Sequence, residues 1–248
     1  MSQEVRVAVF RPDDDRLTTA VELLDSLGAT PVADPMLAIE PTGRVPRSDA
    51  DYVVFTSKTG VELAAEAGWQ PGDATLVSIG SGTTAAATDA GWTVDREPDT
   101  YSSAGLVALL ADEVADSQVN VARSDHGSQV LLDGLADAGA DVTETVLYRL
   151  VRPADAGEST ELAANGELEA VAFTSSLTVE HFLDAAADRG LKAAAIDGLD
   201  GAVVGAIGEP TRETAVDHGI DVDIVPEEAT FEALATQVVE AAAPSYTE

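Results

Sequence analysis

Five of the 13 basic residues, Arg11, Arg16, Lys58, Arg123 and Arg212, fall at turns between a predicted strand and a predicted helix. In open α/β sheets, ligands bind outside the carboxyl ends of the strands. Guanidinium groups and backbone amides placed there hold anions through charge-assisted hydrogen bonds. The placement points to an anionic ligand, with local pairing to neighbouring carboxylates as the alternative for each residue. Hydroxyl side chains recur at the same turns. Phe55-Thr56-Ser57 is matched by Phe173-Thr174-Ser175, and Ile79-Gly80-Ser81-Gly82-Thr83 by Ile207-Gly208-Glu209-Pro210-Thr211. Ser or Thr at a helix start satisfies an orphan N–H, and the first turn carries partial positive charge. Ser57, Thr83, Ser124, Ser175 and Thr211 are therefore predicted to open helices, and capping is compatible with ligand contact.

Other chemistries find less support. The chain has no cysteine, which removes a thiolate nucleophile, a disulfide framework and a cysteine–zinc site. His126, His181 and His218 lack metal-ligand spacing and are expected at the surface, so no metal is expected. No histidine is placed to activate a serine in both copies. Gly80-Ser81-Gly82-Thr83-Thr84-Ala85 fits a dinucleotide fingerprint, but the second copy has Glu209 and Pro210 where close phosphate approach would be needed. Tyr148 is either a phenol facing a ligand or a half-buried strand residue.

The elements that position these residues come in two sets. Asp51 to Ser57 resembles Glu169 to Ser175, and Ile79 to Leu106 aligns without a gap with Ile207 to Leu234. One insertion between Phe173 and Ile207 separates the two registers. A weaker pair, Val7 to Arg11 and Val119 to Arg123, precedes each copy. The chain is an internal duplication, and two lobes imply a cleft that could hold a ligand. Strands are predicted at Val5 to Phe10, Tyr52 to Phe55, Thr75 to Ile79, Val119 to Ala122, Ala170 to Phe173 and Ala202 to Ile207. These runs are apolar on both faces, as parallel strands between helices are. Asp15 to Leu27 is predicted as a helix stopped by Gly28. Pro35 to Pro41 and Thr145 to Pro153 are extended and occupy equivalent places, so both are expected to cross between lobes. The expected fold is α/β. It has two similar lobes, each a parallel sheet flanked by helices, joined by a two-stranded connector. Residues 1–36 with 155–248 form one lobe, 43–145 form the inserted lobe, and 37–42 and 146–154 are the connector strands.

The charge narrows the partners. Against 13 basic residues stand 45 acidic ones, a formal charge of −32 over 248 residues. Such a field repels nucleic acid and anionic membranes. The acids are scattered singly, as on a surface kept hydrated in a salt-rich cytosol; an acidic surface made for a basic partner would give a block. No apolar run nears the ~18 residues of a membrane span, and the first residues lack a signal pattern. A cytoplasmic protein is expected.

The ordered set of Arg turn, connector, Phe-Thr-Ser, Ile-Gly-x-x-Thr, Leu147-Tyr148-Arg149 connector, Phe-Thr-Ser and Ile-Gly-x-x-Thr resembles uroporphyrinogen-III synthases over essentially the whole chain. The stretch Val222 to Thr230 followed by Glu232 to Ala235 is similar to that family's end. The resemblance implies cofactor-free closure of hydroxymethylbilane, a linear tetrapyrrole, to uroporphyrinogen III with inversion of ring D. It implies Tyr148 as the catalytic residue assisting loss of the hydroxyl. Substrate would be bound by Arg11, Ser57, Lys58, Thr83, Arg123, Gly127, Ser175, Ser176 and Thr211. It further implies a monomer in transient contact with the upstream hydroxymethylbilane synthase. The family's Arg-Gly-x-x-Gly-Arg turn reads Arg123-Ser124-Asp125-His126-Gly127-Ser128 here, without its first glycine and second arginine. Two other functions stay open: a two-lobed binding or regulatory module without turnover, and a nucleotide-dependent oxidoreductase.

Overall fold

A computed structural model describes residues 5–243; residues 1–4 and 244–248 of the first expected lobe lie outside the described residues. The chain begins β1 (Arg6–Val9), α1 (Asp15–Ser26), β2 (Thr30–Ala33) and β3 (Ala38–Pro41). It continues through β4 (Tyr52–Phe55), α2 (Lys58–Glu66), β5 (Thr75–Ser78), α3 (Ser81–Asp89) and α4 (Ser103–Leu110). Next come β6 (Gln118–Ser124), α5 (Gln129–Asp137), β7 (Asp141–Val151), α6 (Glu158–Ala164) and β8 (Ala170–Phe173). The last elements are α7 (Ser176–Asp188), α8 (Lys192–Leu199), β9 (Val203–Ala206), α9 (Glu209–Asp217) and α10 (Phe231–Ala242).

These elements form two units. One holds the described residues up to Ala38 together with those from Val151 onward; the other is Ile39–Leu150. The first contains a four-stranded sheet in the order β2-β1-β8-β9, with every pair parallel. Alternation explains how it is covered on both sides. Ala8, Val171 and Phe173 meet Ala163 of α6, Phe182 and Leu183 of α7 and Leu199 of α8. Val7, Val9, Ala170 and Ala172 meet Leu17, Ala20 and Leu24 of α1 and Leu234, Ala235 and Val238 of α10. Each fully buried Val, Leu or Phe contributes about 1.5–3 kcal/mol.

The second unit contains a five-stranded sheet in the order β3-β7-β6-β4-β5, parallel across β7, β6, β4 and β5. Val53 and Phe55 pack on Val61 and Ala64 of α2 and Ala86 of α3. Val54 faces the other way, onto Leu106 and Leu110 of α4 and Leu131 of α5. The two expected connector segments are neighbouring strands of this sheet. Thr42 N–H donates to Leu147 O at 2.9 Å, and β6 pairs with β7 as far as Tyr148. Up to Tyr148, β7 thus satisfies backbone groups on both sides, with β6 and with the edge strand β3. The chain leaves the first unit after Ala38 and returns at Val151.

The duplication survives in detail. Gly91 and Gly219 follow α3 and α9 with φ of 81° and 82°, the left-handed stop that glycine adopts without strain. One expected helix start is corrected. Ser124 is the last residue of β6, where a register shift at Arg123/Ser124 prolongs the strand, and α5 opens after Ser128 instead.

Candidate functional site

The Phe-Thr-Ser turns are anchored by their phenylalanines. Phe55 lies 5.7 Å from Trp69 and 5.9 Å from Trp92, ring centre to ring centre. Phe173 lies 5.1 Å from Phe10 and 5.7 Å from Phe182. Such pairs add to burial and fix orientation, so the serine two residues on is held at a defined helix start. Ser57 Oγ accepts the Gly60 N–H at 3.0 Å. Tyr148, carried in by β7, donates its phenol proton to the same Oγ at 3.0 Å. The Tyr148 ring is only 7% exposed and packs in one cluster with Phe55 and Leu147. Tyr148 is thus a buried strand residue whose hydroxyl meets a helix start. In the other unit, Ser175 forms a capping box with Thr178. Ser176 Oγ donates to Pro210 O at 3.0 Å and accepts from Thr214 Oγ1 at 2.8 Å, tying the start of α7 to that of α9.

Thr83 and Thr211 are not the caps they were expected to be. Gly80 and Gly208 take the cap positions, and neither helix receives a side-chain cap bond. The threonines sit three residues later, 5% and 4% exposed. Neither threonine hydroxyl makes a hydrogen bond among the described residues. Each unit therefore presents a helix whose first amides lack a side-chain acceptor beside an unpartnered hydroxyl. Helix starts of this kind suit a carboxylate or phosphate. In α3 the amides of Ser81 and Gly82 are available, whereas Pro210 removes one from α9. The first glycine of the Gly80-x-Gly82 pattern has a local cause, whereas a Cβ at Gly82 would meet open space. A Cβ at Gly80 would lie 2.8 Å from Cγ of Tyr101, so the glycine accommodates that ring. Tyr101, 58% exposed, donates to Glu97 at 3.0 Å. Thr84 also donates to Glu97, and with Tyr101 and Ser78 it holds that carboxyl below the usual glutamate value.

The basic residues divide sharply. Arg16 pairs with Asp14, Lys58 with Glu62 at 3.3 Å and Arg212 with Glu209 at 2.5 Å. Arg123, 4% exposed, is spent on Glu144 at 2.5 Å and Ser128 O at 2.6 Å. A Cβ at Gly127 would lie 2.4 Å from Arg123 Cδ, so the two residues expected to bind substrate build one closed turn. Arg11 differs. Its Nε is buried without an acceptor among the described residues, and its guanidinium lies 4.7 Å from the ring centre of Phe231. Sequence reasoning missed Phe231 and Tyr101, because nothing in their spacing ties them to a strand end.

The histidines need one correction. His181 is half-buried, with Nδ1 at 2.5 Å from Met36 O; His126 and His218 are exposed. Among the described residues no three His, Cys, Asp or Glu side chains converge as a metal site requires. Among the same residues no helix is long and apolar enough to cross a membrane.

The family model "Uroporphyrinogen-III synthase HemD" matches residues 18–236. The chain belongs to this family. A curated protein of Methanothermobacter thermautotrophicus, described as "Putative uroporphyrinogen-III synthase", is 34% identical to this member over 240 residues. That match covers 90% of this chain and 93% of the relative. The crystal structure of a mutant uroporphyrinogen III synthase from Thermus thermophilus superimposes with a TM-score of 0.65 at 21% identity, covering 96% of this chain and 98% of that one. A uroporphyrinogen-III synthetase from Helicobacter pylori gives 0.65 at 13% identity, covering 96% and 100%. At these identities the two structures show that the synthase fold is shared.

Proposed function

We propose that the protein is a uroporphyrinogen-III synthase, closing hydroxymethylbilane to uroporphyrinogen III with inversion of ring D and loss of water. The observation that carries the reading is the pair of threonines, Thr83 and Thr211, unpartnered beside uncapped helix starts in a member of this family. The substrate is a flexible octacarboxylate, so it needs several anion donors and no nucleophile. An acidic protein cannot attract it as a whole, since the net sign is wrong and salt screens the field. Binding falls to short-range donors: the amides of Ser81, Gly82 and Glu209, the hydroxyls of Thr83 and Thr211, and Arg11.

The chemistry asks for one weak acid and a fixed conformation. Protonation of the leaving hydroxyl releases water and leaves an azafulvene cation. The substituted carbon of ring D attacks it to give a spiro intermediate, which fragments and re-closes at the other side of the ring with loss of a proton. Tyr148 is the acid in this reading. Its proton lies in a hydrogen bond to Ser57, so Ser57 holds the phenol, and after transfer the Ser57 O–H turns to donate to the phenolate until it is reprotonated. Holding the chain in the conformer that inverts supplies most of the rate. The reaction balances without a cofactor, and the enzyme works in a salt-rich cytoplasm that its −32 charge suits.

The test is incubation with hydroxymethylbilane and chromatography of the oxidised porphyrins by isomer. Type III product supports the reading. Tetrapyrrole binding with only type I product would make the protein a non-catalytic module.

A further inference from the structure

Arg11 carries an unmet demand. It follows β1 at the carboxyl edge of the four-stranded sheet, and Thr174 Oγ1 reaches Phe10 O at 3.4 Å. It thus stands next to the Phe-Thr-Ser turn of the same unit. Its guanidinium is stacked on Phe231, an arrangement that orients the fork as well as stabilising it. The buried Nε has no acceptor among the described residues, although buried donors are nearly always paired. A cavity of about 490 Å³ opens there, with Arg11, Asp15, Arg16, Thr19, Phe231 and Glu232 in its wall. That volume lies in the range of small-molecule sites. Burial and the neighbouring Arg16 both push the Arg11 pKa down, opposed by Asp14; a bound anion would relieve both guanidinium groups.

The wall carries both signs, and this selects the ligand. A bare inorganic anion would meet Asp15 and Glu232 uncompensated. A pyrrole bearing an acetate or propionate offers a carboxylate to Arg11, a ring N–H to an acidic acceptor and a flat face to Phe231. We propose that this cavity is a subsite for one carboxylated pyrrole ring of the substrate, with Arg11 binding the carboxylate and Phe231 the ring. The proposal rests on the synthase reading and adds to it a specificity surface made by α1 and α10.

Three variants test it: Arg11→Gln, Phe231→Leu and Thr19→Phe, the last filling the cavity without touching the arginine. Initial rates with hydroxymethylbilane should show KM raised about tenfold for Arg11→Gln, as for loss of a desolvated charge-assisted contact. The kcat should change by less than about twofold, since the reacting atoms are met elsewhere. Thr19→Phe should raise KM alike, Phe231→Leu should raise it less, and Lys192→Gln, at an exposed residue, should leave it unchanged. Fluorescence titration with uroporphyrin III should give the same order of affinities. Folded variants, checked by circular dichroism, that keep wild-type KM and wild-type uroporphyrin III affinity would overturn the subsite. If the wild type makes no type III isomer, the synthase reading fails by itself. The titration then decides the subsite: weaker uroporphyrin III binding in Arg11→Gln and Thr19→Phe supports it, and equal binding ends it.

Discussion

Tyr148→Phe separates a chemical role for the phenol from a structural one. The substitution keeps a ring that is 7% exposed and removes one oxygen, with its 3.0 Å bond to Ser57. A hydrogen bond of this kind contributes about 0.5–1.5 kcal/mol net. Ser57 Oγ keeps the Gly60 N–H, so no buried group is orphaned. A loss of about 1 kcal/mol lowers Tm by roughly 2–4 °C in a chain of this size. The effect on turnover is of another order. General acids contribute about 10²- to 10⁴-fold, and because the hydroxyl sits on a benzylic-type carbon and departs readily, a loss near the lower limit is expected. The companion Ser57→Ala removes the acceptor of both Gly60 N–H and the phenol. It should cost about 1 kcal/mol as a lost cap yet slow turnover less, since the acid remains. Initial rates across hydroxymethylbilane concentration, product isomers by chromatography and Tm by circular dichroism give the comparison. A Tyr148→Phe enzyme with wild-type kcat and a lowered Tm would refute the chemical role and leave Tyr148 only as a brace for α2.

Thr83→Val and Thr211→Val remove hydroxyls that have no partner among the described residues, so Tm should hold or rise while activity falls about tenfold; unchanged activity would release these hydroxyls from substrate binding. Arg123→Met should do the reverse, lowering Tm through the lost Glu144 pair and Ser128 bond while KM stays within about twofold; a large KM rise would return Arg123 to the substrate. Glu97 is held below its ordinary value by Thr84, Tyr101 and Ser78. Its contribution to stability is therefore complete above the unfolded glutamate value and is lost as pH falls through the depressed folded one, so Glu97→Gln should flatten the acid limb of a Tm–pH series. With a charge of −32, Tm should climb between about 0.05 and 2 M KCl as self-repulsion is screened; a flat series would contradict the salt-rich setting.

The strands were legible because their burial is written in their composition. Tyr52 to Phe55 and Ala170 to Phe173 are strands residue for residue as predicted, since a short apolar run bounded by turn residues suits a strand covered on both faces. Ser57 and Ser175 cap as expected because hydroxyl capping is local. Thr83 and Thr211 lie inside their helices because Gly80 and Gly208 take the cap positions, and a glycine cap leaves no side-chain signal in the sequence. Ser124 failed for a non-local reason: the bulge that prolongs β6 depends on β7, far along the chain. The arginines were the least legible. Arg16, Arg123 and Arg212 look like Arg11 in sequence, and only three-dimensional pairing shows which of them is spent on a carboxylate and which is stacked with a buried Nε unmet.

The central claim is that this chain directs ring closure toward inversion. The direct measurement is the isomer ratio of uroporphyrins formed from hydroxymethylbilane, with and without the protein, at molar KCl. Nearly all type III is expected with the protein and nearly all type I without it. An unchanged type I product in the presence of folded protein would contradict it.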